Sequence, residues 1–131
     1  MSGLSTEDHV AIQQLYARYN HAIDSGRSDD WAACFTPDGT FTSGSGSFAG
    51  REALAGFAAV FAKRMKARHW TNNLVVEAAA DGAKGTCYLM LLRLNTEGPA
   101  SLLTTAIYTD GLAKTDDGWK FASRVATTDA I

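Results

Sequence analysis

Two short stretches carry the side chains best suited to acid–base chemistry. Tyr19-Asn20-His21-Ala22-Ile23-Asp24 closes the first strongly patterned segment and sets a phenol and a carboxylate at the end of an apolar stripe. Arg68-His69-Trp70 opens the first long strand-like run. An imidazole titrates near neutral pH and can take a proton from carbon beside an activating group. A buried carboxylate on the other ring nitrogen fixes the tautomer and stabilises the imidazolium that forms. In that chemistry Asp24 orients and His69 abstracts, provided the two meet in space.

The first element must therefore bring Asp24 to the strand that holds His69. Ser5-Thr6-Glu7-Asp8 reads as a helix start, with a hydroxyl to cap free amides and acids at the positive end of the dipole. Val10, Ile12, Leu15, Tyr16, Tyr19, Ala22 and Ile23 are mostly spaced by three and four, and Ser25-Gly26 supplies the stop. On a helical wheel Asp24 falls off this stripe beside Asn20. It turns inward only if the helix frays or unwinds at Gly26, or if another element folds over that flank.

The remaining chain predicts an α+β domain. Asp29 to Phe35 reads as a short second helix ended by Pro37, and Gly39 to Ser43 with Ser47 to Ala49 as a hairpin around Gly44-Ser45-Gly46. Leu54, Phe57, Ala58, Phe61 and Met65 repeat at helical spacing after Gly50-Arg51-Glu52, with Lys63, Arg64 and Lys66 as cations at that helix's end. Arg68 to Ala79, Lys84 to Asn95, Ser101 to Lys114 and Trp119 to Thr128 read as four long antiparallel strands, separated by turn formers such as Asp81-Gly82. Helices first and a meander afterwards place the helices over one face of a curved sheet. Such a sheet encloses a concave, mostly apolar cavity, with Trp31, Phe41, Phe57, Phe61, Tyr88 and Tyr108 among the candidates for its wall. Parity puts His69 and Asn73 on one face of their strand.

Composition narrows the function classes. At 131 residues and 46% hydrophobic content, a single domain over 1–131 is expected. A net charge of −2 with both signs scattered argues against a nucleic-acid partner. Without an apolar run of about 20 residues or a signal-like start in Met1-Ser2-Gly3-Leu4-Ser5, a membrane partner is not expected either. Cys34 and Cys87 lack CxxC or metal spacing and read as reduced, buried thiols of a cytoplasmic protein. His9, His21 and His69 show no metal-ligand spacing, and GxGxxG, P-loop and GxSxG motifs are absent.

These residues together carry a resemblance. Ile12-x-x-Leu15-Tyr16-x-x-Tyr19, Asp24, Trp31-x-x-x-Phe35-x-Pro37-Asp38-Gly39, Phe48-x-Gly50-Arg51, Arg68-His69-x-x-x-Asn73, Tyr108-x-Asp110 and Gly118-Trp119 span nearly the whole chain. The order resembles the nuclear-transport-factor-2-like superfamily in its polyketide-cyclase (SnoaL-like) and scytalone-dehydratase-like branch. The resemblance implies a cone-shaped barrel of a strongly curved, mainly antiparallel sheet, with N-terminal helices closing a deep pocket. Relatives in that branch pair an Asp late in the first helix with a His on the sheet, which Asp24 and His69 match. Tyr19, five residues before the Asp, and Arg124 on the last strand resemble further catalytic positions. Trp119, Phe121 and Ser123 have the opposite parity to Arg124, so only a bulge puts Phe121 and Arg124 on one face. The branch's second sheet histidine has no counterpart here, which argues against a mechanism identical to scytalone dehydratase.

The expected activity is a cofactor-independent lyase or isomerase, performing β-elimination or proton transfer on a small, hydrophobic, cyclic molecule. Tyr19, Tyr108 or Asn73 would hydrogen-bond a substrate oxygen as charge develops there, and Arg124 would hold a leaving hydroxyl or an acidic group. Three alternatives stand beside it: a non-catalytic binding or assembly module, a polyketide cyclase, and an epoxide hydrolase built on Arg93, Asp110 and Arg124. The resemblance also implies a homodimer or homotrimer through the outer sheet face, with Leu89, Leu91 and Leu103 as apolar material for it.

Overall fold

A computed structural model of the protein describes residues 3–129. Met1 and Ser2 of the start, and the two ends of the expected 1–131 domain, lie outside them. Helix α1 spans Thr6–Asp24 and opens on the expected cap. Ser5 Oγ accepts the Asp8 amide at 3.0 Å, while Asp8 Oδ2 accepts the Ser5 amide at 3.1 Å. The other Asp8 oxygen takes Trp119 Nε1 at 3.1 Å and Lys114 Nζ at 3.0 Å, tying the helix start to the sheet.

Helix α2 is only Ser28–Ala32, shorter than expected, because Phe35 already begins strand β1, Phe35–Ser43. Pro37 lies inside that strand rather than ending a helix. It is tolerated because the pairing of β1 with β6 (Gly118–Thr128) is irregular between Phe35 and Thr40, where no ladder donor is needed. Strand β2, Gly46–Ala49, completes the expected hairpin, and α3 spans Arg51–Arg64. Strands β3 (Ala67–Ala79), β4 (Gly82–Arg93) and β5 (Ser101–Thr115) follow.

The six strands form one sheet in the order β2-β1-β6-β5-β4-β3, antiparallel throughout except for the parallel β1–β6 pair. It is strongly curved but not closed, with β2 and β3 as its edges, so the expected barrel is an open cone. Ile12, Leu15, Trp31, Phe35, Leu54 and Phe121 form a fully buried core between helices and sheet.

Bulges set which side chains face that core. On β6, Gly111 pairs with Ser123 but Leu112 pairs with Phe121, leaving Ala122 as the extra residue. This bulge puts Phe121 and Arg124 on the same inner face, both without exposure. On β3 a second bulge falls after Asn72, where Asn73 takes a left-handed φ of 55°. Leu89 and Leu91 face inward and are buried, so they are not outer-face material; the convex side exposes Trp70, Tyr88, Leu102 and Leu103 instead. Among the described residues no helix is long and apolar enough to cross a membrane.

The Lys114 ammonium, then the Ser5 amide and Trp119 indole, hold the Asp8 carboxyl well below the usual carboxylate range. A carboxyl depressed in the folded state stabilises fully above its unfolded pKa of about 3.9 and loses that contribution as pH falls through the folded value. Asp8→Asn is therefore expected to lower Tm at neutral pH, with the gap to the wild type narrowing steadily below about pH 4. A thermal unfolding series across pH checks this, and a gap that does not narrow contradicts it.

Candidate active site

Asp24 reaches the sheet without any unwinding of its helix. The helix stays regular to Asp24, Ser25 caps it, and Gly26 leaves at φ 72°, while β3 runs alongside the polar flank. Asn20 Nδ2 donates to Thr71 Oγ1 at 3.0 Å, and one turn later Asp24 Oδ1 lies 2.6 Å from His69 Nδ1. Four helical residues rise about 6.0 Å and two strand residues about 6.6 Å, so the two pairs fit one another along antiparallel elements. The flank that reads as solvent-facing on a wheel is an interface with β3.

The Asp24 carboxylate also accepts the His69 backbone amide, at 3.2 Å and 3.1 Å to its two oxygens. An ionised carboxylate only accepts, so Nδ1 is the donor and Nε2 is left unprotonated when the ring is neutral. The His69 and Asp24 side chains are 8% and 10% exposed.

His69 separates two spaces. On one side is a cavity of about 890 Å³ whose wall includes Trp31, Phe41, Phe57, Phe61, Tyr19 and Tyr108. The Phe61 ring packs against His69 with centroids 5.5 Å apart. On the other side Asp24 opens on a polar cleft of about 530 Å³ with Gln13, Asn20, Arg68 and Asn72. The ring can thus meet a ligand in the aromatic cavity while its carboxylate partner stays behind it.

Of the expected site residues, Asp24 and His69 come together, and Tyr19, Trp31, Phe41, Phe57, Phe61 and Tyr108 line the cavity. Asn73 does not, because the bulge ejects it to the surface and gives its inward place to Leu74. Tyr88 does not either: at 51% exposure it stands on the convex face, while Cys87 and Leu89 point inward. Residues not singled out for the wall include Ile23, Met65 and Leu91, and the Asn20–Thr71 bridge is signalled only by the four-residue spacing of Asn20 and Asp24.

Arg124 also departs from expectation. It is wholly buried and lines neither the aromatic cavity nor the polar cleft. Its Nε and Nη2 each donate to Asp110 at 2.8 Å, and the Tyr16 hydroxyl donates to the same carboxylate. The guanidinium carbon lies 3.7 Å from the Tyr108 ring centre, 4.3 Å from Phe121, 4.5 Å from Tyr19 and 4.8 Å from Tyr16. Burial pushes the guanidinium pKa down, but the Asp110 bonds and charge outweigh it and hold Arg124 well above its ordinary value. Burial pushes the Tyr19 and Tyr108 phenols up, with Arg124 pulling back on both. A Cβ at Gly85 would run into the Tyr16 hydroxyl, which would have to shift away from Asp110. Burial raises both thiols, Cys87 to about 11. Among the described residues no cluster of three His, Cys, Asp or Glu is placed to hold a metal.

With this geometry in place, comparison with known proteins decides the family: residues 5–125 match the SnoaL-like domain. The chain belongs to the SnoaL-like family. That family lies within the nuclear-transport-factor-2-like superfamily. Gamma-hexachlorocyclohexane dehydrochlorinase of Sphingobium indicum is 31% identical over 123 residues, covering 91% of this SnoaL-like chain and 79% of that protein. A Mycobacterium tuberculosis protein of unknown function is 33% identical with a TM-score of 0.87, over 93% of this chain and 72% of the other. Aln2 from a Streptomyces species is 28% identical with a TM-score of 0.88, over 96% of this chain and 94% of its own.

The burial of Arg124 in this SnoaL-like protein carries an expectation about stability. Removing one partner of a buried ion pair strands the other charge, so Arg124→Met should cost about 3–5 kcal/mol. Urea unfolding measures it, and a loss below about 1 kcal/mol would mean the pair is solvated after all.

Proposed function

We propose that this protein is a cofactor-independent lyase or isomerase, in which His69 abstracts a proton from carbon and Asp24 fixes and then stabilises its ring. The observation that carries the reading is the 2.6 Å pairing of Nδ1 with Asp24 on the wall of an aromatic cavity. His69 Nε2 takes the proton from a carbon of a small hydrophobic ring, and the C–H electron pair forms a double bond as the neighbouring C–X bond breaks. The leaving group X departs with its electron pair, as hydroxide taking up a proton or as halide. Returning the proton to another carbon instead gives isomerisation, and attack of the carbanion on a carbonyl gives cyclisation.

Kinship with a dehydrochlorinase supports elimination among these outcomes. The low exposure of both side chains, 8% and 10%, strengthens the Asp24–imidazolium attraction relative to open water. Tyr19 and Tyr108 are the phenols available to hydrogen-bond the substrate. A non-catalytic module gains no support from a part-buried, carboxylate-paired histidine, and epoxide hydrolysis gains none from an Asp110–Arg124 pair that does not line the aromatic cavity. The exposed Trp70, Tyr88 and Leu102 on the convex sheet support a homodimer or homotrimer contact there.

A carbon acid that needs no specific recognition tests the base. 5-Nitrobenzisoxazole opens to a coloured phenolate when its ring proton is removed. His69→Ala is expected to slow this opening by about 100-fold or more relative to the wild type, with Asp24→Asn also impaired and the circular dichroism of both unchanged. A folded His69→Ala protein as fast as the wild type would sink the proposal.

A further inference from the structure

The aromatic cavity carries one feature that proton abstraction leaves unused. Arg64, the last residue of α3, lines it, and no Asp or Glu does. Among the described residues Arg64 makes neither a hydrogen bond nor an ion pair; Arg18, Arg51 and Arg93 are equally unpartnered but do not line this cavity. Its placement follows from spacing. Phe57, Phe61 and Arg64 stand at i, i+4 and i+7, which is one face of a helix, and the two rings on that face form the cavity wall. The arginine stem can lie along apolar surface while its head group stays at the solvent-facing end.

A cation on the last turn also complements the helix dipole, but Lys63 occupies the same turn and does not line this cavity, so dipole compensation does not account for a cation on the cavity face. Arg64 is three residues, about 4.5 Å of rise, beyond Phe61. Phe61 in turn packs on His69.

We propose that the ligand of this cavity is an alicyclic or aromatic acid whose carboxylate seats on Arg64 while its ring fills the space between Phe57, Phe61 and Tyr108. The guanidinium offers a planar pair of donors that suits a carboxylate, and Arg64 is exposed at the mouth of the cavity, where a ligand's charged end can stay in contact with water. This inference rests on the reading of the aromatic cavity as the substrate site, but its test needs binding only, without turnover.

N-Phenyl-1-naphthylamine, an uncharged dye that brightens in apolar sites, serves as reporter, displaced by 2-naphthoate or by the neutral, nearly isosteric 2-naphthamide. Arg64→Gln is expected to weaken 2-naphthoate by about five- to tenfold while dye and 2-naphthamide stay within about twofold, and Lys63→Gln to leave all three unchanged. Equal weakening of acid and amide, or of neither, would overturn the role of Arg64 and leave His69 as a base intact. Failure of dye and both naphthalenes to bind the wild type would overturn the cavity as a ligand site, and this proposal with it.

Discussion

A guanidinium taken wholly out of water sets the terms for the rest of this structure. Arg124 remains charged at zero exposure because Asp110 supplies both carboxylate oxygens and four aromatic rings surround its faces and edges. Isolated burial of such a charge would be prohibitive, so the partners are held closely. They come from three elements: Tyr16 and Tyr19 from α1, Tyr108 and Asp110 from β5, and Phe121 from β6. The rotation and depth of α1 against the sheet follow from this arrangement. The absence of a side chain at Gly85 lets the Tyr16 hydroxyl approach closely enough to join it.

Once α1 is seated by Tyr16 and Tyr19, its other long flank meets β3. Eight residues, about 12 Å of helix, separate Tyr16 from Asp24, and a rigid helix transmits the placement over that distance. Asn20–Thr71 and Asp24–His69 then close as successive rungs. The buried ion pair thus acts on the dyad through geometry rather than by touching a ligand. That division assigns charge stabilisation deep in the core to Arg124 and leaves the cavity wall to His69, the phenols and Arg64.

Sequence pattern and structure agree where a single physical signal dominates. Capping at Ser5 and Asp8, the apolar stripe of α1 and the turn at Asp81-Gly82 each belong to one local interaction, and the corresponding elements are present. Agreement fails where two signals compete. Strand β4 alternates Cys87, Leu89 and Leu91 with Tyr88, Met90 and Leu92, both sets apolar, so period-two alternation does not say which faces inward. Parity along β3 fails at Asn73, because a bulge depends on the partner strand and not on local composition. Parity on β6 exposes the condition for Arg124, and a bulge at Ala122 meets it. What no local pattern contains is its enclosure, since the four rings and Asp110 are brought together only by the tertiary fold. The same holds for Asp24, whose polar flank becomes an interface because β3 runs beside it.

In the proposed reaction Asp24 holds the His69 proton on Nδ1, leaving Nε2 as a free base toward the cavity. Nitrogen-15 chemical shifts of the His69 ring, recorded in its neutral form, read the tautomer directly. A protonated Nδ1 and a bare Nε2 are expected in the wild type, with that preference lost in Asp24→Asn. A wild-type ring carrying its proton on Nε2 would contradict this expectation.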